Sequence, residues 1–396
     1  MNMPGRSLFT VLIYWITAVT LTACNSGKEV PYANCILTKE PVVPITITQG
    51  NMLNLYLDSL MVLGISTPID YHEKEQVLYA FDSYNKRLLE YPLVFTGDTI
   101  RPRNILPVHV KHKISYLKYI SPDSLMLYAY GGSKLFYYSI SRGVVDKEYS
   151  FMKNKTAGMN AAPPYANAAA PFLFIGQTIT GVGFLLGEKE GENPAFRTIC
   201  ATIQLPSGNT TYRIPYPGVY REHNWGGSHL RTPYATYNEQ TRKLLLSLPA
   251  DHHIQLVDSN WQVKDVYAGS RQQFCISSMG LSKNNEQVLD VDYALQYYTS
   301  TPSYRNIIYD RYHDRYYRIL ELPPAKEKMA NGKPAGKTAS LIAFDKDLQY
   351  LGEAALPDGL ALDNFFVTAE GLYFLNVRNK DQNIAQYTQC KIAIPH

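Results

Sequence analysis

One unit recurs along this chain and limits its folds more than any other feature: two short apolar runs joined by a polar turn. It appears at 77–82 with 87–91, at 126–130 with 134–138, at 244–248 with 253–257 and at 372–376 with 384–387. Within the runs apolar and polar residues tend to alternate, which is the period of a strand. A further strand precedes each unit. Most units also have one behind, after turn sequences such as Ser141-Arg142-Gly143, Asp258-Ser259-Asn260 and Asp345-Lys346-Asp347, the residue types that close hairpins. Second strands starting near 77, 125, 183, 244, 316 and 371 give six units of four strands. Self-similarity at this spacing predicts an all-β fold: a single six-bladed β-propeller of four-stranded antiparallel blades. The 32 tyrosines suit strands. The last unit lacks a fourth strand, and an unpaired strand lies at 42–48, so the N-terminal strand is expected to complete the last blade and remove two sheet edges. A seven-bladed ring and a pair of β-sandwiches remain open. A helical fold is disfavoured, because no apolar pattern of helical period is sustained.

The N-terminus carries an address. Arg6 precedes an apolar run over 8–19, and Leu21-Thr22-Ala23 stands directly before Cys24. That order is expected of a lipoprotein signal peptide, 1–23, with cleavage before Cys24 and acylation there. Ordinary secretion and retention as an uncleaved anchor are the competing readings. Residues 24–41 then form a lipid tether and 42–396 the propeller. The partner so implied is a membrane, held through lipid on Cys24, with the outer membrane as the expected location. Removing Arg6 leaves 37 basic against 34 acidic residues, so no nucleic-acid partner is expected. Cys35, Cys200, Cys275 and Cys390 remain, without metal-type spacing. A last blade completed from the N-terminus would bring Cys35 and Cys390 together, making them the first choice of disulfide, although buried free thiols fit equally.

The segment 78–91, running Leu-Tyr-Ala-Phe-Asp-Ser-Tyr-Asn-Lys-Arg-Leu-Leu-Glu-Tyr, resembles one blade of the NHL-repeat propellers. The turn Ile120-Ser121-Pro122-Asp123 is similar to that of TolB-like propellers. With the cysteine signal and the length, the chain resembles an uncharacterised family of six-bladed propeller lipoproteins from Gram-negative gut bacteria. That likeness implies the fold and the anchor and brings no catalytic residues with it.

In a propeller, first-to-second and third-to-fourth turns share one face, and second-to-third turns share the other with the blade-to-blade links. The long connections 98–113, 152–171, 216–233, 268–304, 187–197 and 323–338 are all expected on the second face. Long loops on a rigid scaffold are where sites are built. The richest, 220–231, holds Arg221, His223, Trp225, His229 and Arg231, with Gly226 and Gly227 beside the tryptophan. Arg101, His109, His112, His252 and His253 are expected on the same face. Together they suggest a basic, aromatic mouth: a flat ring for a sugar, and guanidinium groups for carboxylate or phosphate. Solvated loop residues, or a zinc site from His223, His229 and His252 or His253, are the alternatives.

The expected function is a binding propeller for an unknown peptide, glycan or protein ligand, with no cofactor. The alternative is a glycan-active lyase or hydrolase using His223 or His229 as base. The chain has no nucleophile elbow, zinc-protease helix motif or phosphate-binding loop.

Overall fold

The computed structural model describes residues 30–36, 38–61, 63–93, 99–153, 160–185, 197–280, 290–324 and 336–395. The leader, Cys24 and most of the insertions at 187–197 and 323–338 lie outside the described residues. Among the described residues no helix is long and apolar enough to cross a membrane.

Six antiparallel sheets follow one another along the chain. Blade one is built from Ile69–His72, Val77–Asp82, Arg87–Pro92 and Asn104–Pro107, and blade two from Tyr116–Ser121, Ser124–Ala129, Lys134–Ser139 and Val144–Ser150. Blade three has Leu173–Ile175, Thr178–Val182, Arg197–Gln204 and Asn209–Pro215; blade four has Tyr234–Asn238, Lys243–Ser247, His253–Val257 and Val263–Tyr267. Blade five comprises Ser303–Asp310, Arg315–Leu322, Thr338–Phe344 and Tyr350–Ala355. The last blade takes Leu360–Thr368, Gly371–Asn376 and Ile384–Ala393 from the end of the chain, and Thr46–Tyr56 pairs antiparallel with Ile384–Ala393. That strand starts later and runs further than the 42–48 expected. In blade three the second strand, expected to start near 183, is Thr178–Val182.

The turns obey one local rule. An aspartate or asparagine at the end of a strand accepts backbone N–H groups two to four residues on, as Asp82 does from Tyr84 and Asn85, Asn238 from Gln240 and Thr241, and Asp345 from Asp347 and Gln349. Short polar side chains satisfy the turn's donors there, which is why Asp and Asn read as turn residues.

The core lies in the seams between blades. Leu78, Leu89 and Tyr91 of blade one pack with Tyr373, Leu375 and Tyr387 of the last blade, while Leu117, Leu125 and Leu127 of blade two meet Val77, Phe81 and Leu88. Middle strands therefore bury both faces, and Val77–Asp82 is buried at every residue. The run Leu244-Leu245-Leu246 is apolar without interruption for the same reason.

The disulfide joins Cys35 to Cys275, not to Cys390. The segment before residue 42 does not stay beside the last blade. It crosses to the link between blades four and five, where Ala33–Cys35 pairs antiparallel with Cys275–Ser277. Cys200 and Cys390 are buried free thiols.

Candidate functional site

The first strands of all six blades surround the axis and leave a cavity of about 480 Å3. Tyr71, Tyr116, Phe172, Phe174, Tyr237, Tyr309 and Phe366 give it aromatic walls. Each comes from a first strand or from the residue next to it, because alternation sends every second side chain of an inner strand toward a sheet face. Its polar groups are few. Lys118 Nζ lies 2.8 Å from Asp70 Oδ1, whose other oxygen accepts the Tyr119 N–H at 2.8 Å. Glu239, Gln240 and Arg311 stand where the first strands of blades four and five turn into the second, and Arg311 pairs with Glu73 at 2.7 Å. These turns belong to the short-turn face, so the cavity reaches that face. Burial raises the Tyr71 and Tyr309 phenols, the latter to about 12 with help from a hydrogen bond to Asp314.

The other end is filled. Ala168 and Pro171, from the link between blades two and three, form the floor. Ala169 packs among Tyr234, Ile308 and Phe365 of three different inner strands, and its carbonyl accepts the Ala235 N–H at 3.3 Å. Small side chains are what let this segment enter the ring.

On the long-loop face a second arrangement of charge stands between blades five and six. Arg305 binds Asp363 and lies 3.3 Å from Glu321, which also accepts from the Tyr298 hydroxyl. Lys337 Nζ donates to Ser303 Oγ at 2.6 Å and sits 3.9 Å above the Tyr298 ring. Its side chain is 3 % exposed, and burial pushes its amine down to about 7. A cavity of about 200 Å3 adjoins these groups.

The expected mouth does not assemble. The segment 98–113 is not one loop: Asn104–Pro107 divides it. Arg101 belongs to the third-to-fourth link of blade one and lies 4.0 Å from the Tyr56 ring at the outer edge of the last blade. His109 is exposed, and His112 stacks on Phe136; both sit on the link between blades one and two. The rest gather around blade four, mostly as structural parts. Trp225 is wholly buried and donates to Val219 O at 2.8 Å. Arg231 is buried and donates to Gly226 O, and Arg221 donates to Tyr216 O. His223 stacks on Tyr32 at 4.1 Å between centroids, while His229 stacks on Tyr298 at 4.5 Å. The two proposed bases thus attend different tyrosines. Burial lowers His229, and Arg305 adds to that.

His252 is buried between the Tyr304 hydroxyl at 2.8 Å and Asn34 O at 2.9 Å. Asn34 O can only accept, so Nε2 carries the proton and Nδ1 accepts from Tyr304. Burial holds this imidazole down at about 4. His253 is instead raised by the Asp251 carboxylate 3.1 Å away. Among the described residues no group of three or more His, Cys, Asp or Glu side chains is placed to hold a metal ion.

Sequence reasoning missed Arg305, Glu321, Lys337 and Asp363 and every wall of the central cavity. The sequence singles out only the connection 268–304, which bears Tyr298, and the insertion 323–338, which contains Lys337.

Residues 114–355 match the domain family DUF4221, a domain of unknown function. The matched span covers blades two to five as whole units. No curated protein matches the chain. A crystal structure of a DUF4221 member from Bacteroides vulgatus ATCC 8482 superposes with a TM-score of 0.69 at 18 % identity, covering 89 % of this chain and 99 % of that one. A protein from Bacteroides fragilis NCTC 9343 gives 0.51 at 9 % identity, covering 88 % and 96 %. At these identities the likeness shows the fold alone.

Proposed function

The chain belongs to the DUF4221 family, and from that premise we propose that it is a lipid-anchored envelope propeller that binds a small glycan fragment in its central cavity. The observation that carries the reading is the blind cavity itself. Its volume falls within the roughly 300–1,000 Å3 of small-molecule sites, which are apolar hollows with a few convergent polar groups. Aromatic walls offer stacking to the apolar face of a sugar ring. The Asp70–Lys118 pair and the polar rim at Glu239, Gln240 and Arg311 offer acceptors and donors to its hydroxyls. The anchor rests on the signal sequence and Cys24, and the outer membrane is the location proposed.

Two measurements test this. Calorimetric titration of the full chain with glucose, galactose, N-acetylglucosamine and their short oligomers should give saturable binding that Thr236→Trp, which fills the cavity, abolishes. Binding that survives Thr236→Trp would move the site elsewhere, and no heat across the panel would end the glycan reading. Intact mass of the membrane fraction should show an acylated chain beginning at Cys24, and Cys24→Ser should release the protein from membranes.

A further inference from the structure

The first described residues do not lead away from the fold; they are fastened to the long-loop face. Tyr32 N–H donates to Ser278 Oγ and Ser278 N–H returns to Tyr32 O, both at 2.8 Å. Asn34 Nδ2 donates to Ala250 O at 2.8 Å, Ile36 N–H to Phe274 O at 3.1 Å, and Cys35 is bonded to Cys275. The helix Val291–Ser300 lies on the other side of the same short strand, where the Tyr297 hydroxyl donates to Ser277 O at 2.6 Å.

That helix turns Ala294 inward against Gly227 and leaves Val291 and Leu295 exposed along one flank, with Asp292 and Gln296 beside them. Val291 is 76 % exposed and Leu295, one turn on, 45 %. Tyr32 and Val30, the latter 92 % exposed, stand across the strand. Side chains three and four apart share one side of a helix. Exposed apolar side chains grouped in this way mark a surface that meets a partner.

We infer that this patch, the outer side of Val291–Ser300 with Val30 and Tyr32, rests on the lipid surface to which the chain is tethered. The inference depends on the proposal that Cys24 is acylated. Six residue steps separate Cys24 from Val30, and a fully extended chain gains about 3.5 Å per step, so the acyl group stays within roughly 20 Å of the patch. A longer tether would leave the propeller free to present any side; this one does not. The long-loop face then looks at the membrane, and the mouth of the central cavity looks away from it.

The test uses the full acylated chain in vesicles of phosphatidylethanolamine and phosphatidylglycerol, with and without brominated acyl chains. A bimane label is placed on Leu295→Cys or, as control, on Lys346→Cys, which is exposed in a short turn on the opposite face. The native free thiols Cys200 and Cys390 are buried and do not compete for label. Bromolipid should quench the label at 295 and leave that at 346 unchanged. An unquenched label at 295 on chain that floats with the vesicles would overturn the inference while the anchor stands, whether the patch is bare or covered by a second copy. Chain that fails to float would overturn the anchor, and the inference with it.

Discussion

At the short-turn end of the ring six inner strands leave a cavity of about 480 Å3 reached past Glu239, Gln240 and Arg311, whereas the long-loop end is packed. The link between blades two and three enters the axis there, Trp225 and Arg231 are buried beneath their own loop, and Arg318 gathers the next one. Arg318 is fully buried. It donates to the carbonyls of Leu248, Asp251, His252, His253 and Ala268 and to Ser247 Oγ, with the Tyr304 ring 3.7 Å away. The difference teaches that long connections here serve to close and fasten. The larger of the two cavities opens at the end where most connections are short.

That contrast can be broken by mutation, most severely at Arg318. Arg318→Met takes the guanidinium away from five carbonyls, of which Leu248 O and His252 O keep a backbone donor, and the loss of so many buried hydrogen bonds at once costs about 4 kcal/mol. Denaturant midpoints should record the loss; a shift of a few tenths would mean that the loop holds itself. Next in size is the disulfide. Replacing Cys35 and Cys275 by serine should cost about 3 kcal/mol, read from the same midpoints, with the short-turn cavity unchanged.

Lys337 sharpens the comparison through pH. Its amine titrates near 7 in the folded chain and near 10.5 when unfolded. Between those values the unfolded chain binds more protons, so this residue's contribution to stability rises as pH rises from about 7 to 10.5. Relative to Lys337→Met, the wild type should gain about 2 kcal/mol over that window, with the burial penalty discounted for relaxation. His252 works at the acid end. Held at about 4 against an unfolded value of 6.5, it is neutral when folded, and the stability it contributes is lost as pH falls from 6.5 through 4. His252→Gln should flatten thermal melting temperature against pH in that range. The smallest effect belongs to the short-turn end: Arg311→Ala breaks a half-exposed pair with Glu73 and should change stability by no more than about 1 kcal/mol.

The ring was legible because turn chemistry and strand pattern agree in most blades, and Asp82, Asn238 and Asp345 use their carboxyl and amide oxygens as that chemistry requires. Blade three was displaced because its second strand, Thr178–Val182, is partly polar and contains Gly181, so the more apolar sequence Phe184-Leu185-Leu186 just behind it reads as the better strand. Trp225 misled for a physical reason. Gly226 beside it suggested an exposed platform, but Gly226 sits at φ +67° and a Cβ there would lie 2.9 Å from Met279 Sδ and 3.0 Å from Tyr297. The glycine admits those two side chains, and the tryptophan closes beneath them. The cavity was illegible because each inner strand supplies only a few of its walls, so no local window contains a motif. The cysteine partner was misjudged because nothing local to Cys35 says that the chain crosses a face before joining its blade.

The bond between Cys35 and Cys275 also settles where a pull is felt. Any tension on the residues before Val30 passes through Tyr32 and Cys35 into the link between blades four and five. It stops there. Thr46–Tyr56, the strand zipped to Ile384–Ala393 and the one whose peeling would open the last blade, lies beyond the covalent stop and carries none of the load. A drag on the leading end therefore strains the middle of the chain and spares its joint.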